Sequence, residues 1–232
     1  MRAILINVSD GQKQILDNMM LVFCTAIRYS FKRLLEGVKI GDLEKDVANK
    51  YNLNIRQAKD AVENARQTIQ SQKELVKMNY QNYGRKVKAI EKQLKSDKLS
   101  DKKRNALLSK LDKRKRKLHY WQYFIDAHTI PPVVFGTKQM FLRRCKGLIT
   151  NQEWKDCRNN RIYSRGDKTK NGNPNLREVI KNNMTFLEIS TLEKTETNRA
   201  IKIQVPIYLP QKFSKKTGKV NGIKYRELFL NH

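Results

Sequence analysis

The spacing of apolar residues changes twice along the chain. At the start, RAILINV (2–8) is a short apolar run suited to a strand, and Ser9-Asp10 behind it supplies a helix N-cap. Ile15, Met19, Val22, Ala26 and Leu34 then recur near helical spacing. They predict a helix over about 12–35 with Gly37 at its C-terminal cap. Asp42 is placed to cap a short helix carrying Leu43 and Val47. From Asn54, a further N-cap, the apolar series runs Ile55, Ala58, Val62, Ala65, Ile69 and, after a slip, Val76, Tyr80, Tyr83, Val87, Ile90, Leu94. Steps of three and four predict a helix of about 60 Å with one apolar seam. Gly84 inside it marks either a hinge or a close-packing point. SDKLSDKK breaks the pattern at Ser96–Lys103, and a return helix over about 100–126 resumes it with Leu107, Leu111, Leu118, Trp121 and Ile125. Arg114 stands where an apolar residue was due. The two long helices are expected to form an antiparallel hairpin, with Tyr120, Trp121, Tyr123 and Phe124 serving more as core than as base-stacking platforms.

The pattern changes again at Ile130-Pro131-Pro132, where consecutive prolines stop the helix. Strand-like pieces follow: VVFG (133–136), TFLEIST (185–191), AIKIQVPIYL (200–209) and KYRELFL (224–230). Ile201, Ile203, Val205, Ile207 and Leu209 alternate as in a half-buried strand. Short helices are expected at 137–145 and 151–160, and turns at 164–175 and 214–222. The fold class is α+β: a small antiparallel β-barrel of residues 1–10 and 130–232, interrupted by a helical insertion over 11–129 that carries the long hairpin.

Charge adds a partner to this picture. Among 232 residues, 49 Lys and Arg face 22 Asp and Glu, a net charge of +27. The densest stretch, 85–117, holds 15 basic residues against Glu91, Asp97, Asp101 and Asp112. Such a surface attracts polyanions, nucleic acid first. In this stretch Arg85, Lys86, Lys88, Lys92, Lys113, Arg114, Lys115, Arg116 and Lys117 are the candidate phosphate contacts; a solvated helical exterior is the plainer alternative. No run of about 18 apolar residues exists, so no membrane partner is expected. MRAILINVSDGQ lacks the apolar length of a secretory signal. Cys24, Cys145 and Cys157 are odd in number and far apart, which suggests inert buried thiols in a reducing cytoplasm. Neither metal-ligand spacing nor a phosphate-binding loop is present, so no cofactor, metal or catalytic residue is expected.

The order of five segments carries a resemblance: IRYSFKRLLEG, LNIRQAKDAVENARQTIQSQKEL, IPPVVFGTKQMFLRR, IYSRGDKTKNGNPNLRE, and IKIQVPIYLPQKF with KVNGIKYRELFL. Together they resemble the N-terminal lobe of TnpB, the transposon-encoded RNA-guided nuclease, and of related compact type V CRISPR effectors. VFGTKQMF and SRGDKTKNGNPNLR are its most specific parts. The resemblance implies a wedge barrel with a helical recognition insertion. It further implies a basic wedge that grips guide RNA, to which Lys138, Arg143, Arg144, Arg158, Arg161, Arg165, Lys168, Lys170 and Arg177 would contribute. Asn171, Gly172 and Asn173 would form a loop allowing close backbone approach. Arg56, Gln57, Lys59 and Asn64 would face the duplex beside the target and read its flanking motif, since Gln or Asn can pair with adenine and Arg or Lys with guanine or phosphate. The family continues into a RuvC nuclease domain and a four-cysteine zinc finger, and the 232 residues contain neither, so nuclease activity is not expected.

The expected function is therefore that of a guide-RNA-binding, RNA-guided DNA-binding protein without nuclease activity, repressor-like or regulatory, in the cytoplasm of a bacterial, archaeal or phage-infected cell. Its partners would be guide RNA and target DNA. Two alternatives stand beside it: the non-catalytic half of a split nuclease with a separate RuvC-bearing chain, and an RNA-binding regulator that captures a related effector's guide RNA. A coiled-coil structural protein and a transposon remnant complete the range.

Overall fold

A computed structural model of the chain describes residues 3–96, 99–166, 169, 172–182, 184–197 and 199–208. Within them the fold is α+β, with β1 (Ile4–Leu5), α1 (Asp10–Leu35), α2 (Ile40–Lys50), α3 (Ile55–Leu94), α4 (Asp101–Asp126), α5 (Lys138–Cys145), α6 (Asn151–Arg158), β2 (Leu176–Lys181), β3 (Met184–Lys194) and β4 (Ala200–Tyr208). The strands form an antiparallel open sheet in the order β1-β4-β3-β2. Closure into a barrel is not seen among the described strands. The strand expected at 224–230 and the turn at 214–222 lie outside the described residues, as does Leu209.

The chain divides into two compact units, Met1–Arg66 with Val134–His232, and Gln67–Val133. The division differs from the one expected at 10/11 and 129/130, and packing explains why. Leu16 and Met19 of α1 are buried with Leu187, Ile189, Val205 and Ile207 of the sheet. One turn further on, Phe23, Ala26 and Ile27 pack with Leu43 and Val47 of α2 and with Ala58, Ala61, Val62 and Ala65 of α3. The start of the expected insertion thus shares a core with the sheet, and the rest of α1 packs with α2 and α3. Burial of these side chains is worth about 1.5–3 kcal/mol for each large aliphatic one, so α1 cannot be separated from the sheet cheaply.

Local signals account for most element ends in the first unit. Ser9 caps α1 reciprocally with Gln12: the Gln12 backbone N–H donates to Ser9 Oγ, and the Ser9 N–H to Gln12 Oε1. Gly37, at φ +85, follows the last turn. Asn54 and Gln57 make the same exchange at the start of α3, at 2.8 and 3.1 Å. Thr137 caps α5, and Thr150 with Glu153 forms a capping box on α6. Asp42 does not cap α2; Lys39 occupies that position and Asp42 lies in the first turn, where its charge suits the helix dipole.

Three strand readings change. Residues 2–8 contribute a strand of only two residues, joined to β4 through Ile4 opposite Tyr208 and Leu5 opposite Ile207. VVFG forms no strand: Phe135 leaves the line to meet Phe31 edge-on at 5.2 Å. Gly136, at φ +101, lies so close to Trp154 that a Cβ would come within 3.1 Å of the ring. Conversely, LREVIK forms β2, an edge strand whose partner β3 is reached through a turn in which Asn182 takes φ +48. In β4 the alternation holds at Ile203, Val205 and Ile207 and lapses at the exposed Ile201.

The second unit holds the later part of α3 and all of α4. The two helices run antiparallel, because Tyr83 faces Arg114, Gly84 faces Leu118, and Glu91 pairs with Lys115 at 2.9 Å. The seam positions Val76, Val87 and Ile90 are buried, as is Phe124. Arg114, at its apolar position, is half-buried with its guanidinium over the Tyr83 ring at 5.9 Å, so a cation–π contact fills the gap in the seam.

Candidate nucleic-acid interface

In the first unit, residues 158–166 lead from the end of α6 along α1 and the first turns of α3, without helix or strand after Arg158. Side chains of both helices fix this segment. Arg28 donates to the Arg158 carbonyl (3.1 Å) and to Asn159 Oδ1 (2.9 Å). The Cys24 thiol donates to the Arg161 carbonyl at 3.3 Å. Burial pushes the Cys24 pKa up and that of Arg28 down. Arg161 reaches Asn64 Oδ1 at 3.0 Å. Asp60, only 2% exposed, accepts from the Arg165 side chain at 2.8 Å and from its backbone N–H at 3.2 Å. Burial works against the Arg165 charge, but the Asp60 hydrogen bond and charge outweigh it and raise the guanidinium's pKa.

The structure thus brings together two groups of residues singled out for different partners: Asn64 from the expected DNA readers, and Arg161 and Arg165 from the expected RNA grip. Several of them are committed to the fold. Gln57 is 5% exposed; its amide donates to the Ser190 carbonyl at 3.3 Å and accepts from the Asn54 N–H, so it is a cap and a tie to the sheet rather than a base reader. Lys59 is exposed and pairs with Glu44 at 3.9 Å, and Arg56 is half-buried. Asn173, also expected to grip RNA, is buried: its Oδ1 accepts from the Asn175 and Leu176 N–H groups and its Nδ2 donates to the Ser164 carbonyl. It closes the 164–175 loop on itself. Gly172 beside it takes φ +129. Lys168, Lys170 and Asn171 lie outside the described residues.

The remaining wedge candidates are more open. Lys138, Arg143 and Arg144 are exposed on α5. Arg158 is half-buried, with its guanidinium 5.4 Å from the Trp154 ring centre and its Nε buried. Arg177 is exposed on β2 opposite Glu188. Glu188 accepts from Lys202 at 2.7 Å and Gln204 at 3.1 Å, and these hydrogen bonds hold its carboxyl below the usual range.

In the second unit, Arg85, Lys86, Lys88 and Lys92 of α3 are exposed, as are Lys113, Lys115, Arg116 and Lys117 of α4. Arg116 pairs with Asp112 at 2.6 Å. Lys86 lies over Tyr83 and Lys117 over Tyr120, at 5.2 and 5.6 Å. Tyr120 and Tyr123 are exposed, which corrects their reading as core; Phe124 alone of that aromatic group is buried. Cys145 is exposed too, so not every thiol is buried.

Sequence reasoning missed Asp60 and Arg28 as groups that position the 158–166 segment, and missed the tie from the Asn54 amide to Asn175. Asp60 carried a signal, being an acid in the apolar start of a basic helix, but its partner lies 105 residues away. Among the described residues no group of three or more His, Cys, Asp or Glu is placed to hold a metal ion, and no helix is long and apolar enough to cross a membrane. The cavity bordered by Met19, Phe23, Gln57, Tyr163 and Ser190 is about 10 Å³, room for a water and nothing larger.

No curated protein and no solved structure matches the chain. A family model described as the SSO2105 N-terminal domain matches residues 1–228. With that match spanning nearly all of the 232 residues, the chain belongs to the SSO2105 N-terminal domain family.

Proposed function

We propose that the chain binds guide RNA and, through it, a complementary DNA, without itself cutting. In this proposal it corresponds to the wedge and recognition lobe of the TnpB-type effectors whose sequence order it resembles. The observation that carries the reading is the distribution of charge. Net charge is +27, and the candidate cations Lys138, Arg143 and Arg144 on α5, and Arg85, Lys86, Lys88, Lys92 and Lys117 on the hairpin, are exposed. Exposed charges add little to stability, whereas each can release a counterion from a bound phosphate backbone.

One observation favours the second reading, an RNA-binding regulator that does not target DNA. Of the four residues expected to read a flanking motif, Gln57 is buried and bonded, Lys59 is paired with Glu44, and Asn64 accepts from Arg161. The test is to sequence the RNA that copurifies and to measure binding of the complex to DNA duplexes that match or mismatch its variable end, with Mg²⁺ present. Guide-dependent binding without cleavage is the expected result. RNA binding with no guide dependence would select the regulator. Cleavage restored by a RuvC-bearing chain would select the split effector, and absence of RNA binding would refute all three.

A further inference from the structure

In α4, Lys113 is three and four residues from Arg116 and Lys117, these are four and three from Tyr120, and Tyr120 is three from Tyr123, so the five line one face of the helix. All five are exposed, Tyr120 at 45% and Tyr123 at 63%. The face is about 15 Å long. Phe124, the buried residue beside it, braces both tyrosines: its ring centre is 5.1 Å from that of Tyr120 and 5.3 Å from that of Tyr123. Tyr120 also meets Trp121 at 5.1 Å. Every one of these contacts is edge-to-face, with interplanar angles of 77–80°. None is a parallel stack.

A surface that exposes two braced aromatic rings in line with three cations makes two demands on a partner. It must be anionic, and it must offer flat apolar faces. Duplex nucleic acid meets only the first, because its bases are stacked on one another. An unpaired nucleotide meets both, its phosphate facing the cations and its base the ring. The Lys117 ammonium, 5.6 Å from the Tyr120 ring centre, already places a phosphate-binding group beside a stacking group.

We propose that this face of α4 is a stacking platform for unpaired RNA nucleotides. The proposal rests on the RNA reading above and adds which part of the RNA the hairpin takes. It is tested with the full chain, a labelled single-stranded oligouridine and a labelled RNA duplex, at one fixed salt concentration. The Tyr120→Leu/Tyr123→Leu variant should bind the single strand roughly 10-fold more weakly and the duplex within about twofold of the parent. Its salt slope should be unchanged, since no charge is lost. Phenylalanine at both positions should restore binding, because the ring and not the hydroxyl is required. If the double variant unfolds, Tyr123→Leu alone, at the more exposed position, gives the same comparison. Single-strand binding unaffected by leucine would overturn the platform and point to a protein partner on this face, while leaving the RNA reading intact. Equal loss on both probes would also overturn it. A parent chain that binds neither probe would overturn the RNA reading itself.

Discussion

Asp60 is buried inside the first unit. Its carboxylate accepts hydrogen bonds from the side chain and the backbone N–H of Arg165. Arg165→Met keeps roughly the length of the side chain and removes the charged partner of that carboxylate. The expected cost is about 1–3 kcal/mol in urea unfolding. It should fall short of the full cost of breaking a buried pair, because Arg165 is itself partly solvated. A cost near zero would mean that the pair does not hold the 158–166 segment. Loss of RNA binding in an Arg165 variant therefore has to be read against its stability. Glu188 gives a pH test. Its folded pKa is depressed by Lys202 and Gln204, so its contribution is present above the unfolded value, about 4.3, and is lost as pH falls through the lower folded value. Glu188→Gln should remove that contribution at neutral pH, making the variant less stable there, and its stability should converge on the parent's as pH falls below about 4.3, flattening the acid limb; an unaltered acid limb would contradict it. At this scale the sequence exposes residue type and local caps but not distant partners. Asn54 was legible as a cap. Gln57, three residues on, looked like a base reader because nothing local shows that its amide meets Ser190 across 133 residues.

Elements were most legible where one helix supplies its own signals. The alternating three- and four-residue steps of α3, the break near Ser96 and the return in α4 follow from spacing alone, and the expected seam matches the buried positions Val76, Val87 and Ile90. Strands were less legible because their identity depends on neighbours. VVFG has β-branched residues and an aromatic, yet Phe135 is taken by Phe31; LREVIK alternates poorly, yet β3 recruits it as an edge. Gly84 is settled at this scale. It lies within a continuous helix, and a Cβ there would meet Leu118 at 3.9 Å, an ordinary contact. It is therefore not a close-packing point. Gly84→Ala should raise stability by about 1 kcal/mol, read as a shift in urea midpoint, because alanine restricts the unfolded chain and fits the folded one. Destabilisation would show instead that the helix bends here.

Across the whole molecule, charge couples stability to salt, and under the proposed RNA binding the free and the RNA-bound chain should respond to salt with opposite signs. A chain at +27 repels itself in the folded state more than in the expanded unfolded one. Added salt shortens the screening length from about 30 Å at 0.01 M to about 10 Å at 0.1 M, which relieves that repulsion. The RNA-free protein should therefore show a Tm that rises with salt. On the proposed function, bound RNA would neutralise the same cations and stabilise by mass action. Since each phosphate contact contributes about 0.7–0.9 to the slope of log K against log salt, the complex weakens as salt is added and its Tm should fall toward that of the free chain. The two curves should converge. Replacing Arg85, Lys86, Lys88 and Lys92 with glutamine tests the hairpin's share. These side chains are exposed, so the folded variant should keep its helical content while both salt dependences become shallower. If the free-chain curve flattens and the RNA-bound curve does not, the cations face water alone, and the RNA grip has to be sought on α5 and the 158–166 segment.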